Sequence, residues 1–273
     1  MSKRWRWLAF GVAVGALYVV ERLRPLRMRK DPGPDRIGRN LVIGLLAGAT
    51  TAAGEWPLVA PAQALAERRR LGLLRWLPLP RALRVVLGFL LLDYTLYLWH
   101  RLNHRVPLLW RFHAVHHIDL DLDTTTGVRF HFGELSMAAV FRAAQVLLLG
   151  VDRETLRLWQ QMLVLSVVFH HSNLGLPIEA ERGLVAFLVT PRMHGIHHST
   201  RVEETDSNYS SLLSCWDRLH RSLRLNVAQS SVTIGVQGFT RPEDVTLVSS
   251  LALPFLPDRR LLPAARAAGT HAS

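Results

Sequence analysis

A five-residue box, His-x-x-His-His, occurs twice in this chain, as His113-Ala-Val-His116-His117 and as His194-Gly-Ile-His197-His198. A His-x-x-x-His pair, His100 and His104, stands just ahead of the first copy. Residues three and four apart share one face of an α-helix. Each box therefore aims two or three imidazoles at one point. Polar rings gathered this way need partners if the surrounding chain is apolar. The flanks of the two copies differ, and no longer repeat accompanies them.

The surroundings are apolar. Of 273 residues 49% are hydrophobic, and mean hydropathy is positive. Apolar runs cover Trp5–Val20, Asn40–Ala62, Leu83–Trp99, 135–151 and 155–170. All but the second fall a little short of the roughly 20 residues that cross a bilayer, so some could be buried or partly inserted. No small-x-small site precedes Glu21-Arg22, so the first run reads as an uncleaved anchor rather than a signal peptide. Glu55 and Pro57 make the end of the second run irregular. The third continues through His100 and His104 until Pro107 stops it. The last two, separated by Asp152-Arg153-Glu154, predict a helical hairpin. The expected fold is all-α: an integral membrane helical bundle with a cytoplasmic, histidine-rich di-metal cap. Residues 1–82 are expected to form N-terminal membrane helices and basic loops, 83–225 the histidine-box domain, and 226–273 a partly disordered extension. The chain from Leu251 onward reads as a loose tail.

Net charge is +12, and only Lys3 and Lys30 among the basic residues are lysines. Such charge suits nucleic acid or an anionic membrane surface. Aromatic-rich basic modules are absent and apolar runs are frequent, which favours the membrane and excludes nucleic acid as the expected partner. With the loop at 21–39 on the cytoplasmic side and runs two and three each crossing, every histidine box falls on that same side. The six arginines from Arg68 to Arg84 then lie outside, against the positive-inside bias. The expected location is an inner, or cell, membrane with the site facing the cytoplasm. Cys215 is the only cysteine, so neither an intrachain disulfide nor a cysteine zinc site is possible.

Imidazole is a borderline ligand that suits iron, zinc, copper or nickel. Eight nitrogens from the three boxes exceed what one ion takes while keeping a position open. His170-His171 adds at least one more, so the count implies two metals. A lone histidine near a membrane is usually a headgroup contact, and a single pair can be chance or a mononuclear zinc site. Two identical boxes plus the pair, all at helix ends, need more than that. Zinc hydrolases hold three protein ligands and a water, and the glutamate of a His-Glu-x-x-His protease is missing. A dinuclear, neutral, all-nitrogen site suits a redox pair that binds and cleaves O2. An apolar surround would keep the oxidant from water and admit a lipid chain.

His100-Arg-Leu-Asn-His104, Leu109-Trp-Arg-Phe-His-Ala-Val-His-His117 and Met193-His-Gly-Ile-His-His198 resemble the boxes of the fatty acid hydroxylase/sterol desaturase superfamily. Asp93-Tyr94, Arg129-Phe-His131 with Glu134, His171-Ser-Asn173, Asn208-Tyr209 and Trp216-Asp217-Arg218-Leu219 extend the likeness over about residues 88–225. The resemblance implies a membrane oxygenase with two irons per chain, which uses O2 and outside electrons to hydroxylate or desaturate a lipid. It implies that the box histidines His100, His104, His113, His116, His117, His194, His197 and His198 are ligands, with His171 an extra one. His131 and His220 match positions that can be histidine in the family, and His131 is the stronger candidate. His170 stands where glutamine is common, which suggests a group beside the ligands. Arg221-Ser222 departs from the family's frequent Gly-Thr.

Two further polar residues are candidates for the chemistry. Asp93 lies seven residues before His100, two turns away on one helix face, where it could orient a ligand through its second nitrogen. An Asp within an apolar helix is costly and usually functional. Asn173 is a weaker candidate of the same kind, as is Glu134. Asp217 is expected to pair with an arginine. Asp119, Asp121 and Asp123 lack the glycine and glutamate of a calcium loop and read as solvated.

No P-loop, dinucleotide fingerprint or Gly-x-Ser-x-Gly elbow is present, and no haem or flavin module is fused. Electrons would then come from a separate reductase, ferredoxin or cytochrome. An arginine-rich face could dock an acidic donor, although membrane anchoring accounts for the same charge. The candidate substrates are a sterol or hopanoid-like lipid, a fatty acyl chain, a glycerol ether or a carotenoid, with hydroxylation favoured over desaturation on the resemblance alone. A non-redox membrane metal-binding or transport protein is the alternative from another class. Transport sites, however, tend to lie near the bilayer midplane rather than at helix ends. A membrane zinc hydrolase is a third reading, set back by the excess of imidazoles.

Overall fold

The computed structural model describes residues 3–261, and every regular element in that range is helical. Helix α1 (Lys3–Leu23) leads through residues 24–33 to α2 (Pro34–Gly54). The irregularity expected at Glu55 and Pro57 is a π-helical stretch, Glu55–Val59, which carries α2 into α3 (Ala60–Arg68). Proline supplies no N–H to the regular ladder, and such stretches absorb the mismatch. After the short α4 (Leu73–Trp76), α5 (Arg81–Arg105) runs unbroken for 25 residues. It stops at Val106, which is extended (φ −93°, ψ 117°) because a proline follows. Pro107 is the first residue of α6 (Pro107–His117), where its missing N–H costs nothing.

The expected hairpin is α7 (Phe132–Leu149) and α8 (Arg153–His171). Gly150, left-handed at φ 70°, ends the first, and the Asp152 carboxylate accepts from the Thr155 N–H to start the second. Shorter helices follow: α9 (Ile178–Leu184), α10 (Pro191–His197), α11 (Val202–Thr205), α12 (Cys215–Leu219) and α13 (Leu247–Ala252).

Long helices alternate in direction, so the connections sort to two ends. At one end Gly72 meets Gly150, the Arg75 guanidinium reaches the Val151 carbonyl, and Arg81 pairs with Glu154. At the other, residues 24–33, 106–131 and 171–261 come together. Pro25 bridges to Leu174, Asp121 accepts from the N–H groups of Lys30 and Asp31, and Leu253 packs with Trp110. All the histidine boxes lie at this second end.

Among the described residues, three helical segments are long and apolar enough to cross a membrane: Pro34–Trp76, Arg81–Arg105 and Phe132–Leu149. Leu45, Val86, Val140 and Leu148 stand exposed on their outer surfaces. Charge goes the other way, with Arg36 and Arg129 fully buried in the histidine end. Apolar side chains facing out and charged ones facing in is the arrangement a lipid environment selects.

Two expectations are corrected. The run Asp119, Asp121, Asp123 is not solvated; all three are buried. Arg36 donates to both Asp119 carboxylate oxygens (2.8 Å each) and to Asp123 (2.7 Å). Burial alone would raise the Asp119 carboxyl, but the Arg36 charge outweighs it and brings it down to about 2. The stretch after Leu251 is not loose throughout: Leu253 and Leu261 are buried in a cluster with Trp110, Ala114 and Val245. Residues beyond 261 lie outside the described ones.

Candidate metal centre

Four elements carry the site: the end of α5, the second half of α6, the end of α8, and α10 with the residue after it. The Thr190 hydroxyl caps α10 and Pro191 opens it, so the second box begins within one turn of a fixed start. Nine imidazoles meet there, in two buried groups. His100, His104, His113, His117 and His197 form one, and His116, His171, His194 and His198 the other; within each group the available ligand atoms lie within 4.8 Å of one another.

Tautomers follow from the outer nitrogens. The His100 Nδ1–H donates to the Tyr209 carbonyl (2.7 Å), that of His197 to the Ser207 carbonyl (2.7 Å), and that of His113 to Glu134 Oε1 (2.8 Å). In the second group the His171 Nδ1–H donates to the Val167 carbonyl (2.7 Å) and that of His116 to the Arg129 carbonyl (3.2 Å). A neutral imidazole with its proton on Nδ1 has a bare lone pair on Nε2. Those bare nitrogens face one another: His100 and His113 at 3.1 Å, His100 and His197 at 3.1 Å, His116 and His171 at 2.9 Å. No proton is left to bridge these pairs, so each is repulsive unless a cation sits between. Two ligands at about 2.1 Å from one ion, set at right angles, stand about 3.0 Å apart. The donor set thus fits two metal ions, and neutral nitrogen donors fit iron.

Burial keeps the rings in their ligating form. It pushes the His197 imidazolium down to about 3, and with neighbouring imidazoles it holds His116, His117, His194 and His198 well below the ordinary range.

The loop at 207–210 explains the Asn208-Tyr209 and Trp216-to-Leu219 motifs. Ser207 and Tyr209 give the carbonyls that orient His197 and His100, and Asn208 between them is left-handed at φ 54°. Its carboxamide donates to the Met193 and Arg224 carbonyls and accepts from the Arg224 N–H, tying the loop to α10. The arginine partner expected for Asp217 is not found among the described residues; Asp217 instead accepts from the N–H groups of Tyr209 and Ser210 and from the Ser222 hydroxyl.

Three expected site residues lie apart from both groups. His131 caps α7, its Nδ1 accepting from the Gly133 N–H while Nε2 donates to the Leu251 carbonyl. Asp93 accepts from the indole N–H groups of Trp216 (2.7 Å) and Trp159 (3.4 Å) and from the Leu213 N–H, and no imidazole is among its partners. Asn173 clamps the backbone of Arg27, accepting from its N–H and donating to its carbonyl (2.9 Å each). His170 packs against His194, ring centres 4.1 Å apart and tilted at 53°, without joining the nitrogen groups; His220 reaches the Tyr94 hydroxyl instead.

The carboxylate that meets a box histidine is therefore Glu134 rather than Asp93. The carbonyls of Val167, Ser207, Tyr209 and Arg129 have no side-chain signature to read. Arg27 was also hidden: it donates to the Pro191 carbonyl and to Gln229 Oε1, and its guanidinium lies so close to Gly195 that a side chain there would have to displace it.

Comparison with known proteins agrees with this geometry. An ornithine lipid hydroxylase of Rhizobium tropici is 33% identical over 161 residues, 58% of this chain and 47% of that protein. A cholesterol 25-hydroxylase-like protein of Danio rerio is 30% identical over 53% of this chain and 58% of its own length. The human alkylglycerol monooxygenase is 28% identical over 48% of this chain and 28% of its own. The chain thus spans less than two thirds of each of these relatives. No solved structure matches it. The fatty acid hydroxylase family matches residues 85–222, just over half of the chain and the stretch that holds all nine converging histidines, and this chain belongs to that family.

Proposed function

We propose that this chain is a membrane di-iron oxygenase that hydroxylates a lipid. The observation that carries the proposal is the set of bare imidazole nitrogens facing one another at 2.9–3.1 Å in two buried groups. His100, His104, His113, His117 and His197 would hold one iron, and His116, His171, His194 and His198 the other. Metal held there would supply O2 activation for attack on a C–H bond, with O2 as the oxidant and electrons from outside.

The protein's share is to hold and to seal. Outer hydrogen bonds fix the ring orientations before metal arrives, which lowers the cost of binding. Burial excludes water, so an oxidising equivalent is spent on the lipid rather than lost. With the apolar outer surface of α2, α5 and α7 in lipid, the site would lie at the edge of the bilayer, where an acyl or sterol chain could reach it. The names of the relatives support a lipid substrate, since each describes an enzyme of ornithine lipids, cholesterol or alkylglycerols. A separate reductase, ferredoxin or cytochrome would deliver electrons. The reading places the histidine end on the cytoplasmic side of the inner membrane.

Two measurements test this. Purified full-length protein should carry close to two irons per chain. Lipid extracts from cells with the intact gene, compared with cells carrying His197→Ala, should contain a lipid heavier by one oxygen. A product lighter by two hydrogens would make the enzyme a desaturase. A single zinc in iron-replete protein, with no O2 consumed, would sink the oxygenase reading.

A further inference from the structure

The two histidine groups are unlike in what stands behind them. In the five-histidine group, His113 donates its outer proton to Glu134, a buried carboxylate in the first turn of α7. Among the described residues no arginine or lysine pairs with Glu134, and its Oε2 has no partner at all. The helix terminus offsets part of that charge, but a buried anion still calls for a cation. The one route to a cation runs through the His113 ring. A second carboxylate, Asp206, stands 3.8 Å from His104 Nδ1.

Among the described residues no carboxylate accepts from the four-histidine group. His171 and His116 donate to backbone carbonyls, and the buried Nδ1 atoms of His194 and His198 have no partner. His170 adds only another imidazole, ring to ring with His194. The nearest formal charge in its hydrogen-bond chain is positive. Arg129, whose carbonyl takes the His116 proton, is fully buried, and its guanidinium donates to neutral acceptors: the Val115 carbonyl, Asn40 Oδ1 and the Ser250 hydroxyl. One position thus has five nitrogens and an anionic backing; the other has four nitrogens and a neutral-to-cationic one.

We propose that the two positions are functionally inequivalent, with Glu134 the positioning residue that makes the five-histidine position the tight one, filled first, and leaves the four-histidine position the weaker one, at which exogenous ligands bind. A carboxylate behind an imidazole makes its other nitrogen more basic and strengthens its hold on a dication. Fewer protein donors and no anion nearby leave the second position more room and less repulsion for an incoming small anion. The inference rests on the two-metal reading above, and the test separates the two.

Full-length protein in detergent, stripped of metal, is titrated with Co2+ while bound cobalt and its ligand-field absorption are followed; azide is then added at one and at two equivalents. The expected result is two resolved binding steps, with azide shifting the spectrum of the second at lower concentration than that of the first. Glu134→Gln keeps the hydrogen-bond acceptor and removes the charge. It should weaken the first step about 10- to 100-fold and leave the second in place, a selectivity that a general loss of packing would not produce. His198→Ala should abolish the second step and keep the first. Two equal steps in the unmodified protein, or Glu134→Gln weakening both steps alike, would overturn the inequivalence while the two-metal reading stood. Binding of a single cobalt would overturn both.

Discussion

Arg221 occupies the left-handed region, at φ 56°, with its side chain exposed. That conformation costs a residue with a Cβ about 1–2 kcal/mol, and glycine avoids the cost. The frequent Gly-Thr of the resembled family is thus intelligible from the backbone alone. Ser222 keeps the second half of that motif, since its hydroxyl meets Asp217 Oδ1 (2.7 Å) and the Tyr97 hydroxyl (2.8 Å) as a threonine hydroxyl could. Glycine's greater unfolded-state freedom takes back part of the gain. Arg221→Gly should therefore stabilise the protein by about 0.5–1 kcal/mol, read as a higher denaturant midpoint with unchanged metal content. A lower midpoint would mean that the arginine side chain contributes more than its backbone strain costs. The convergence of the histidines was legible residue by residue, because few other side chains at that spacing can ligate metal, whereas Glu134 carried less signal than Asp93. Asp93 misled because an acid in an apolar helix announces a partner without naming it, and here the partners are two indoles.

The long helices were legible for a similar reason: an apolar run ended by Pro107, or by Gly150 and Asp152, has few ways to fold. What ties the helices together was not. Arg36 of α2 meets Asp119 across 83 residues of sequence, Asn40 donates to the same carboxylate, and Arg129 donates to Asn40 Oδ1 and holds Val115 of α6 by its carbonyl. No local pattern reports pairings at that separation, so the acidic run looked solvated. This network is what docks α2 against the loop that leaves the first histidine box. Removing Asp119 leaves Arg36 with Asp123 as its one carboxylate, and breaking a buried pair typically costs up to about 3–5 kcal/mol. Asp119→Ala should lose that much in unfolding by a denaturing detergent. Asp119→Ala combined with Arg36→Met should recover part of it, because the double variant removes the guanidinium along with its carboxylate and leaves Asp123 to Arg22. Equal stability of the single and double variants would show that the pair is not coupled.

At the scale of the molecule the two ends are held by different forces. The end away from the histidines is fastened by apolar packing and backbone fit. Val59, Leu74, Leu92, Val146, Leu149, Val151, Leu156 and Trp159 form one buried cluster, and Gly72, at φ 100°, brings the chain so close to Gly150 that a side chain would strike its backbone. Nothing there depends on a ligand. The histidine end buries its imidazoles with bare nitrogens pointed at one another, an arrangement that is unfavourable without a cation and favourable with one. A ligand that binds only the folded chain stabilises it by about 4 kcal/mol at a thousand times its dissociation constant. Chelation should therefore act on one end. On metal removal, amide exchange should accelerate in α6, α10 and the 207–210 loop, where the ring-orienting carbonyls sit, while the amides around Gly72, Gly150 and Trp159 keep their protection. The unfolding midpoint should fall and return when iron is restored. Exchange that rises equally at both ends would show one cooperative unit and defeat the division; exchange unchanged at both would show that the imidazoles hold their places without metal.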